Sequence, residues 1–142
     1  MKVMLYTWNP EYWDWPENIS QKLLEGESFI VSWDSSNTHV KKGDRVFVVR
    51  VGDEAAGIVA SGYINEDGVH LDENVKGKLT THAYLSFEYV VKDVDNPLTT
   101  IELSAAFPEQ QWCPRRAGIE IKNADPTELE RLWLKRVLED LR

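Results

Sequence analysis

Two β-rich runs in the middle of the chain constrain the fold most strongly. "RVFVVRV" begins at Arg45 and "AAGIVASGYI" begins at Ala55, with Gly52-Asp53-Glu54 between their apolar parts. Runs rich in valine and isoleucine that are joined by a short glycine-containing turn are typical of a β-hairpin. We therefore expect an antiparallel sheet at the centre of the protein. Gly57 and Gly62 within the second run predict bulges or places where another backbone comes close.

Further strands and two helices are predicted around this hairpin. Strands are expected over Val3–Thr7, Phe29–Trp33 and His82–Val91, and "DSSNTHVKKGD" from Asp34 to Asp44 is expected to be a polar loop. A short helix should follow Pro16, and a turn of helix is possible near Ser104 to Phe107. The pattern predicts an α+β domain whose sheet curls into a barrel.

The C-terminal segment predicts a longer helix. Asp125, with Pro126 after it and Glu128 three residues on, resembles a helix-capping arrangement. Leucine, tryptophan and valine side chains then recur at helical spacing as far as Leu141. This helix is expected to pack against the sheet.

Length and charge limit the kind of protein this can be. The 142 residues suit one domain, 1–142, without a linker or repeat. No segment approaches the roughly 20 apolar residues of a membrane span, and the N-terminal residues lack an export signal, so we expect a cytoplasmic protein. The net charge of −8 weighs against non-specific binding to nucleic acid, which depends on Lys and Arg.

Neither a metal site nor a cofactor site is indicated. Cys113 is the only cysteine, so the chain has no disulfide framework and no cysteine-rich zinc site. The histidines His39, His70 and His82 do not follow a metal-ligand spacing. No catalytic constellation is recognised, and no cofactor is expected.

The stretch "YTWNPEYWDW", from Tyr6 to Trp15, holds three of the six tryptophans of the chain among polar residues. Flat aromatic faces beside polar groups suit nucleobases and other planar ligands. Trp13 and Trp15 could instead fix the first helix onto the sheet, and that interpretation is favoured for these two residues. Trp112 fits the core and a pocket rim equally well.

Four stretches taken in order resemble the EVE domain: "YTWNPEYWDW", "VSWDSSNTHVKKGDRVFVVRVGDEAAGIVASGYI", "QQWCPRRAGIEI" and "LERLW". The EVE domain is a member of the PUA-like superfamily, related to YTH and ASCH domains. The resemblance implies a curled β-barrel of five or six strands with flanking helices, one of them after the first strand and one at the C-terminus. It also implies a pocket for one flipped nucleobase, with 5-methylcytosine and its oxidised forms in DNA as the expected bases.

The resemblance also implies which residues form the site. The expected base pocket comprises Trp8, Asn9, Trp33, Ser35, Ser36, Asn37, Ser61, Gly62 and Trp112, and the expected phosphate contacts at the rim are Lys41, Lys42, Arg50, Arg115 and Arg116. Family members commonly have Trp-x-Pro-Gln-x-Ser-Gly where this chain has Trp112-Cys113-Pro114-Arg115-Arg116-Ala117-Gly118. The two arginines could contact a different base edge or a phosphate.

Three functions remain open from the sequence. The first is a non-catalytic module that binds modified DNA, with a separate nuclease or restriction component as a possible partner. The second is a binder of modified RNA, because YTH relatives read N6-methyladenine in RNA. The third is a small amidohydrolase acting on modified nucleosides, as in the ASCH branch, although no G-x-K-x-x-E-x-R-like run is present.

Overall fold

One curled sheet joins all the strands in a computed structural model that describes residues 1–142. The strands are β1 (Val3–Trp8), β2 (Ile30–Asp34), β3 (Arg45–Arg50), β4 (Gly57–Ile64), β5 (His70–Glu73), β6 (Leu79–Val90), β7 (Leu98–Thr99) and β8 (Ile119–Glu120); the helices are α1 (Ile19–Leu24), α2 (Thr100–Ala106) and α3 (Pro126–Asp140). The predicted α+β class is confirmed.

The sheet is a curled half-barrel that stays open between its two edge strands. Its main path runs β2-β6-β4-β3-β1-β8, while β5 pairs with β6 and β7 pairs with β4. The pairing of β1 with β3 is parallel, with Val3 opposite Arg45 and Trp8 opposite Arg50, and the other pairs are antiparallel. The predicted β3–β4 hairpin is confirmed, whereas strand pairing does not close the sheet into a complete barrel.

The centre of the sheet is buried throughout. All six residues of β3 are buried, and Phe47 meets Trp133 of α3 edge to face at 6.1 Å between ring centroids. Gly57 and Gly62 have the structural role predicted for them, because a Cβ atom at either would lie 2.3 Å from the carbonyl oxygen of Leu98 or Ser86, respectively. The register also shifts between Ser61 and Gly62, as expected of a bulge.

Helix α3 begins as its sequence predicts. The Asp125 side chain accepts a hydrogen bond of 3.1 Å from the backbone N–H of Glu128, and Pro126 opens the helix. Leu129 and Trp133 are buried against the sheet. None of the three helices combines the length and the apolar composition needed to cross a membrane.

The structure differs from the predictions mainly in short or polar elements. Strand β6 begins at Leu79, ahead of the predicted start at His82, and pairs with β5, which was not predicted. Its first residues are leucine and threonine beside a charged turn, so the sequence offers no clear apolar alternation there. Helix α1 begins at Ile19, and Pro16 therefore lies ahead of the first turn rather than in it.

Hydrogen bonds connect the two sides of the open half-barrel at one end. The Ser35 hydroxyl donates to the Asn37 carbonyl at 2.9 Å, so its oxygen accepts the hydrogen bond of 3.0 Å from the Tyr6 hydroxyl. Next to it, the backbone N–H of Ser36 donates to the Ala117 carbonyl at 2.7 Å. The chain leaving β2 is thereby joined to β1 and to the segment before β8.

We predict that Tyr6→Phe lowers the free energy of unfolding by about 1 kcal/mol, because it removes this buried hydrogen bond and keeps the ring. Burial raises the pKa of Tyr6 from 10.0 to about 12, so the contribution of the neutral hydroxyl is complete below pH 10 and is lost as the pH rises toward 12. Urea denaturation of both proteins across this range measures the difference. Equal stabilities at neutral pH would contradict the prediction.

Candidate functional site

The aromatic loop, residues 9–15 after β1, folds back onto β2 and completes one continuous cluster of rings. The ring centroid of Trp13 lies 5.1 Å from that of Trp33, and Trp15 lies 5.6 Å from Trp33 and 5.7 Å from Trp8. Phe87 of β6 meets Trp15 edge to face at 5.2 Å. Ring packing therefore positions a loop that has little regular secondary structure.

A cavity of about 540 Å³ opens beside this cluster. Its volume is in the range typical of small-molecule sites, about 300–1,000 Å³. Its walls come from five parts of the chain. They are the end of β1 (Thr7, Trp8 and Asn9), the aromatic loop (Tyr12 and Trp13), β2 (residues 31–34), the tip of the β5–β6 hairpin (residues 73–76), and the separate residues His82 and Ala117.

The β2 side of the cavity is a free strand edge. Four consecutive residues, 31–34, line the cavity, which indicates an edge because successive side chains point to opposite faces. The Ser35 N–H donates to Thr81 and the Phe87 N–H donates to Phe29, so the odd-numbered residues of β2 bond to β6. The backbone N–H and C=O groups of Ser32 and Asp34 consequently point away from β6, where a ligand can pair with them.

Hydrogen bonds fix two of the three cavity-lining indoles. Trp33 Nε1 donates to the Thr7 carbonyl at 2.9 Å, and Trp8 Nε1 donates to the Trp13 carbonyl at 2.8 Å. The half-buried Trp13 makes no side-chain hydrogen bond within the protein, so its indole N–H is available to a ligand. Trp15 Nε1 is buried among aromatic rings and has no oxygen or nitrogen acceptor. The face of an aromatic ring accepts an N–H group only weakly.

Polar groups with spare hydrogen-bonding capacity complete the walls. Asp34 is half-buried, and its carboxylate accepts no hydrogen bond from the protein. Asn9 Oδ1 accepts from the backbone N–H of Glu11 at 2.9 Å, which leaves the Asn9 amide N–H groups free. The cavity therefore offers the unpaired carboxylate of Asp34, a second carboxylate at Glu73 and at least one neutral donor.

A polar cluster ties the β5–β6 hairpin to β2. Ser32 Oγ donates to Asp72 Oδ2 at 2.8 Å and lies 2.9 Å from His70 Nε2 and 3.2 Å from His82 Nδ1. The serine hydroxyl has a single proton, so both imidazoles must donate to its oxygen. The hydrogen bond from Ser32 lowers the pKa of Asp72. No hydrogen bond joins Asp72 to either imidazole, so the cluster lacks the carboxylate–histidine pairing of a serine hydrolase.

The structure brings three of the predicted base-pocket residues together, because Trp8, Asn9 and Trp33 all line the cavity. The predicted pocket residues in the loop after β2 do not line the cavity. Their side chains stabilise a turn instead. There, Ser36 Oγ donates to the Ala117 carbonyl at 2.8 Å, and Asn37 Oδ1 accepts from the His39 N–H at 2.9 Å. Like Ser35, these two residues have structural contacts.

The remaining predicted pocket residues lie elsewhere in the fold. Ser61 Oγ donates to Glu88 Oε1 at 2.9 Å, and Gly62 packs against the backbone of β6. Trp112 is 3% exposed and packs beside Phe107, 6.0 Å between ring centroids. None of these three lines the cavity, because β4 lies two strands away from β2 and Trp112 is part of the core.

The structure corrects the predicted role of Arg50. Its guanidinium is 2.7 Å from carboxylate oxygens of both Asp53 and Asp95 and donates to the Val94 carbonyl at 2.9 Å. It also lies 5.3 Å from the centre of a Trp8 ring. A guanidinium with these partners packs against Trp8 and is not free to bind a phosphate.

The other predicted basic residues are exposed and form no ion pair. Arg115 and Arg116 do not line the cavity, although they stand just before Ala117, which does. Lys41 and Lys42 are in the β2–β3 loop, where the backbone N–H of Lys42 donates to Asp67, and they do not line the cavity. Lys76, at the hairpin tip, lines the cavity and was not predicted.

Sequence reasoning missed three parts of the site, which are Trp13, Asp34 and the tip of the β5–β6 hairpin. Trp13 both packs in the ring cluster and lines the cavity, whereas the sequence favoured packing alone. Asp34 was assigned to a loop although it is the last residue of β2. The hairpin tip "ENVKG" carries a turn signal at Asn74 and Gly77, which could have indicated a projecting hairpin.

A second hollow of about 780 Å³ lies beside α1. Trp8 and Trp15 contribute to it, together with Asp14, Glu17 and Arg50. It is larger, but its arginine is already paired with carboxylates. The smaller cavity combines indole faces, a free strand edge and unpaired polar groups, and is therefore the better candidate site.

Comparisons with known proteins show the fold alone. No protein-family profile matches the chain, and no curated protein matches it. A solved structure described as a hypothetical protein from Leishmania major is similar, with a TM-score of 0.62 and 12% sequence identity over 96% of each chain. Similarity at this level of identity establishes a shared fold and not a shared activity.

We predict that Arg50→Gln lowers the free energy of unfolding by about 1–2 kcal/mol, through the lost hydrogen bond to Val94 and the lost contact with Trp8. The contribution of the ion pairs is small, because Asp95 is 74% exposed and its charge is screened. Urea denaturation measures the change, with Lys42→Gln as the control that should have wild-type stability. Wild-type stability of Arg50→Gln would refute a structural role.

Proposed function

We propose that this protein is a nucleic-acid-binding module that accommodates a flipped modified base, of the 5-methylcytosine type in DNA, in the cavity beside β2. The observation that carries the proposal is the combination of three indoles, Trp8, Trp13 and Trp33, with a free strand edge around one cavity. The resemblance of the sequence to EVE domains supports the choice of ligand. The structural neighbour does not bear on it.

Aromatic contact is the first requirement for such a ligand. A base taken out of its stack loses a few kcal/mol, and stacking on an aromatic side chain returns roughly 1–3 kcal/mol. Trp13 and Trp33 meet at 5.1 Å with their planes 70° apart, so a base does not fit between them. It would stack on one indole face while the other rings contact its edge and its methyl group.

Hydrogen bonding would then select the base. An ionised carboxylate only accepts hydrogen bonds, so the Asp34 side chain suits a ligand group that donates. The exocyclic amino group of cytosine is such a donor, whereas thymine has a carbonyl oxygen at the same position. The free backbone groups of Ser32 and Asp34 and the amide of Asn9 can bind the remaining base edge.

Basic side chains at the rim would contact the flanking phosphates. Lys76 lines the cavity, and the exposed Arg115 and Arg116 stand just before Ala117 of its wall in the chain. Lys and Arg in these positions offset part of the overall charge of −8 where a nucleic acid would approach. DNA, RNA and a separate nuclease component are the partners that this proposal allows.

The amidohydrolase alternative has one observation in its favour. Thr7, Glu73 and Lys76 all line the cavity, and the ASCH branch uses Thr, Glu and Lys in its pocket. No hydrogen bond or ion pair joins Glu73 to Lys76. Hydrolysis of N4-acetylcytidine by the purified protein would favour the enzyme, and saturable binding without turnover favours the binding module.

We predict that Trp13→Ala weakens binding of a labelled 5-methylcytosine oligonucleotide by roughly 1–3 kcal/mol, the stacking contribution of one aromatic side chain. Fluorescence anisotropy with matched DNA and RNA oligonucleotides carrying cytosine, 5-methylcytosine, 5-hydroxymethylcytosine, adenine or N6-methyladenine measures it. Trp13 is preferred to Trp33 because Trp33 is only 9% exposed and its removal also opens the core.

Denaturation in urea serves as the control that Trp13→Ala remains folded. If the wild type binds none of the oligonucleotides at low salt, the proposed function is refuted. Unchanged affinity of the variant would remove Trp13 from the site.

We predict that Asp34→Asn reduces the preference for 5-methylcytosine over thymine in single-stranded oligonucleotides by about tenfold. The two bases share the 5-methyl group and differ in whether the 4-position donates or accepts, and an asparagine amide can do both. The measurement is the ratio of the two dissociation constants, wild type against variant. An unchanged ratio would show that Asp34 does not contact the 4-position.

A further inference from the structure

The β5–β6 hairpin projects from the sheet beside the mouth of the cavity. Strand β5 pairs only with the first part of β6, from His70 opposite His82 to Glu73 opposite Leu79, and lies off the main path of the sheet. The tip, residues 73–76, forms one wall of the cavity. Any nucleic acid that delivers a base into the cavity would therefore approach this tip.

The hairpin tip is held in one conformation by its own hydrogen bonds. Asn74 Oδ1 accepts from the backbone N–H groups of Lys76 at 2.9 Å and Lys78 at 3.0 Å, and the Asn74 N–H donates to the Lys78 carbonyl at 2.8 Å. Gly77 has a φ of 74°, which other residues rarely adopt. The Ser32 cluster described above anchors the base of the hairpin. A tip fixed in this way can press into another molecule at low entropic cost.

The surface of this hairpin is unusually apolar for an exposed element. Val75 at the tip is 62% exposed, and Leu71 and Leu79 on one face of the hairpin are 68% and 63% exposed. Lys76 and Lys78 balance the charges of Asp72 and Glu73, so this hairpin is locally neutral in an acidic protein. Val75 also lines the cavity and therefore lies at its mouth.

We propose that the hairpin tip enters a base-paired duplex and that Val75 fills the space vacated by the flipped base. The inference rests on the proposed function and extends it, because it makes the protein a reader of double-stranded nucleic acid. Opening a duplex costs a few kcal/mol per unstacked step, and proteins that distort duplexes often insert an apolar side chain there. Lys76, next in the chain, would contact the phosphate beside the gap.

The contribution of Val75 to binding affinity should depend on whether the nucleic acid is a duplex. In a single strand the flipped base leaves no gap between paired neighbours, so a side chain that fills the gap contributes nothing. A residue that only forms part of the cavity wall would contribute equally to both substrates. The ratio of duplex affinity to single-strand affinity therefore separates the two roles.

The test compares wild type, Val75→Ala and Ile101→Ala. Ile101 on α2 is 82% exposed and lies away from the cavity, so its variant controls for the loss of an exposed apolar side chain. Binding is measured by anisotropy with a 5-methylcytosine oligonucleotide, alone and annealed to its complement. A 2-aminopurine beside the modified base reports unstacking in the duplex.

The expected result is that Val75→Ala weakens duplex binding about tenfold or more and lowers the 2-aminopurine signal, with single-strand binding and the Ile101→Ala protein unchanged. Equal weakening for duplex and single strand, or no weakening, overturns the role of Val75. Wild-type binding to the single strand but not to the duplex also overturns it and leaves the proposed function standing. Binding to neither overturns both proposals.

Discussion

The free edge of β2 is the constraint on which the rest of this structure depends. An uncovered strand edge presents unpaired N–H and C=O groups that tend to recruit another strand. Here the aromatic loop covers one part of the gap, and the Ser36 contact with Ala117 closes another. The cavity lies between these two contacts. Its free backbone groups stay accessible to a small ligand, but the narrowed opening hinders pairing with a whole strand.

This arrangement explains why so many tryptophans lie in one short loop. The loop has no ladder of backbone hydrogen bonds to position it, so large rings that contact one another take over that task. Arg50 adds to this packing, because its carboxylate partners hold its guanidinium 5.3 Å from the centre of a Trp8 ring. The aromatic sequence motif that predicts a ligand site is therefore also part of the scaffold of that site.

Sequence reasoning predicted those parts of the fold that depend on local periodicity and capping. The β3–β4 hairpin and α3 follow from valine-rich runs and from the Asp125 cap, both visible within a few residues. The site could be predicted only in part, because Trp8 and Trp33 carry a chemical signal, whereas Ser61 and Trp112 look similar in sequence and are separated from the cavity by the topology. Strand β5 of this hairpin was missed because its mainly polar and charged residues form a strand through pairing with β6 rather than through their own propensity.

The geometry of the rings limits what aromatic contact can supply in the proposed function. Because Trp13 and Trp33 meet edge to face at 5.1 Å, a base gains one stacked face rather than two. One such face is worth roughly 1–3 kcal/mol, which is comparable to the cost of extruding a base and leaves little surplus. The remaining affinity must come from the strand edge, from Asp34 and from the hairpin tip. Recognition would thus depend on three segments that are far apart in sequence: the aromatic loop, β2 and the hairpin tip. The half-barrel brings them together at its unpaired edge.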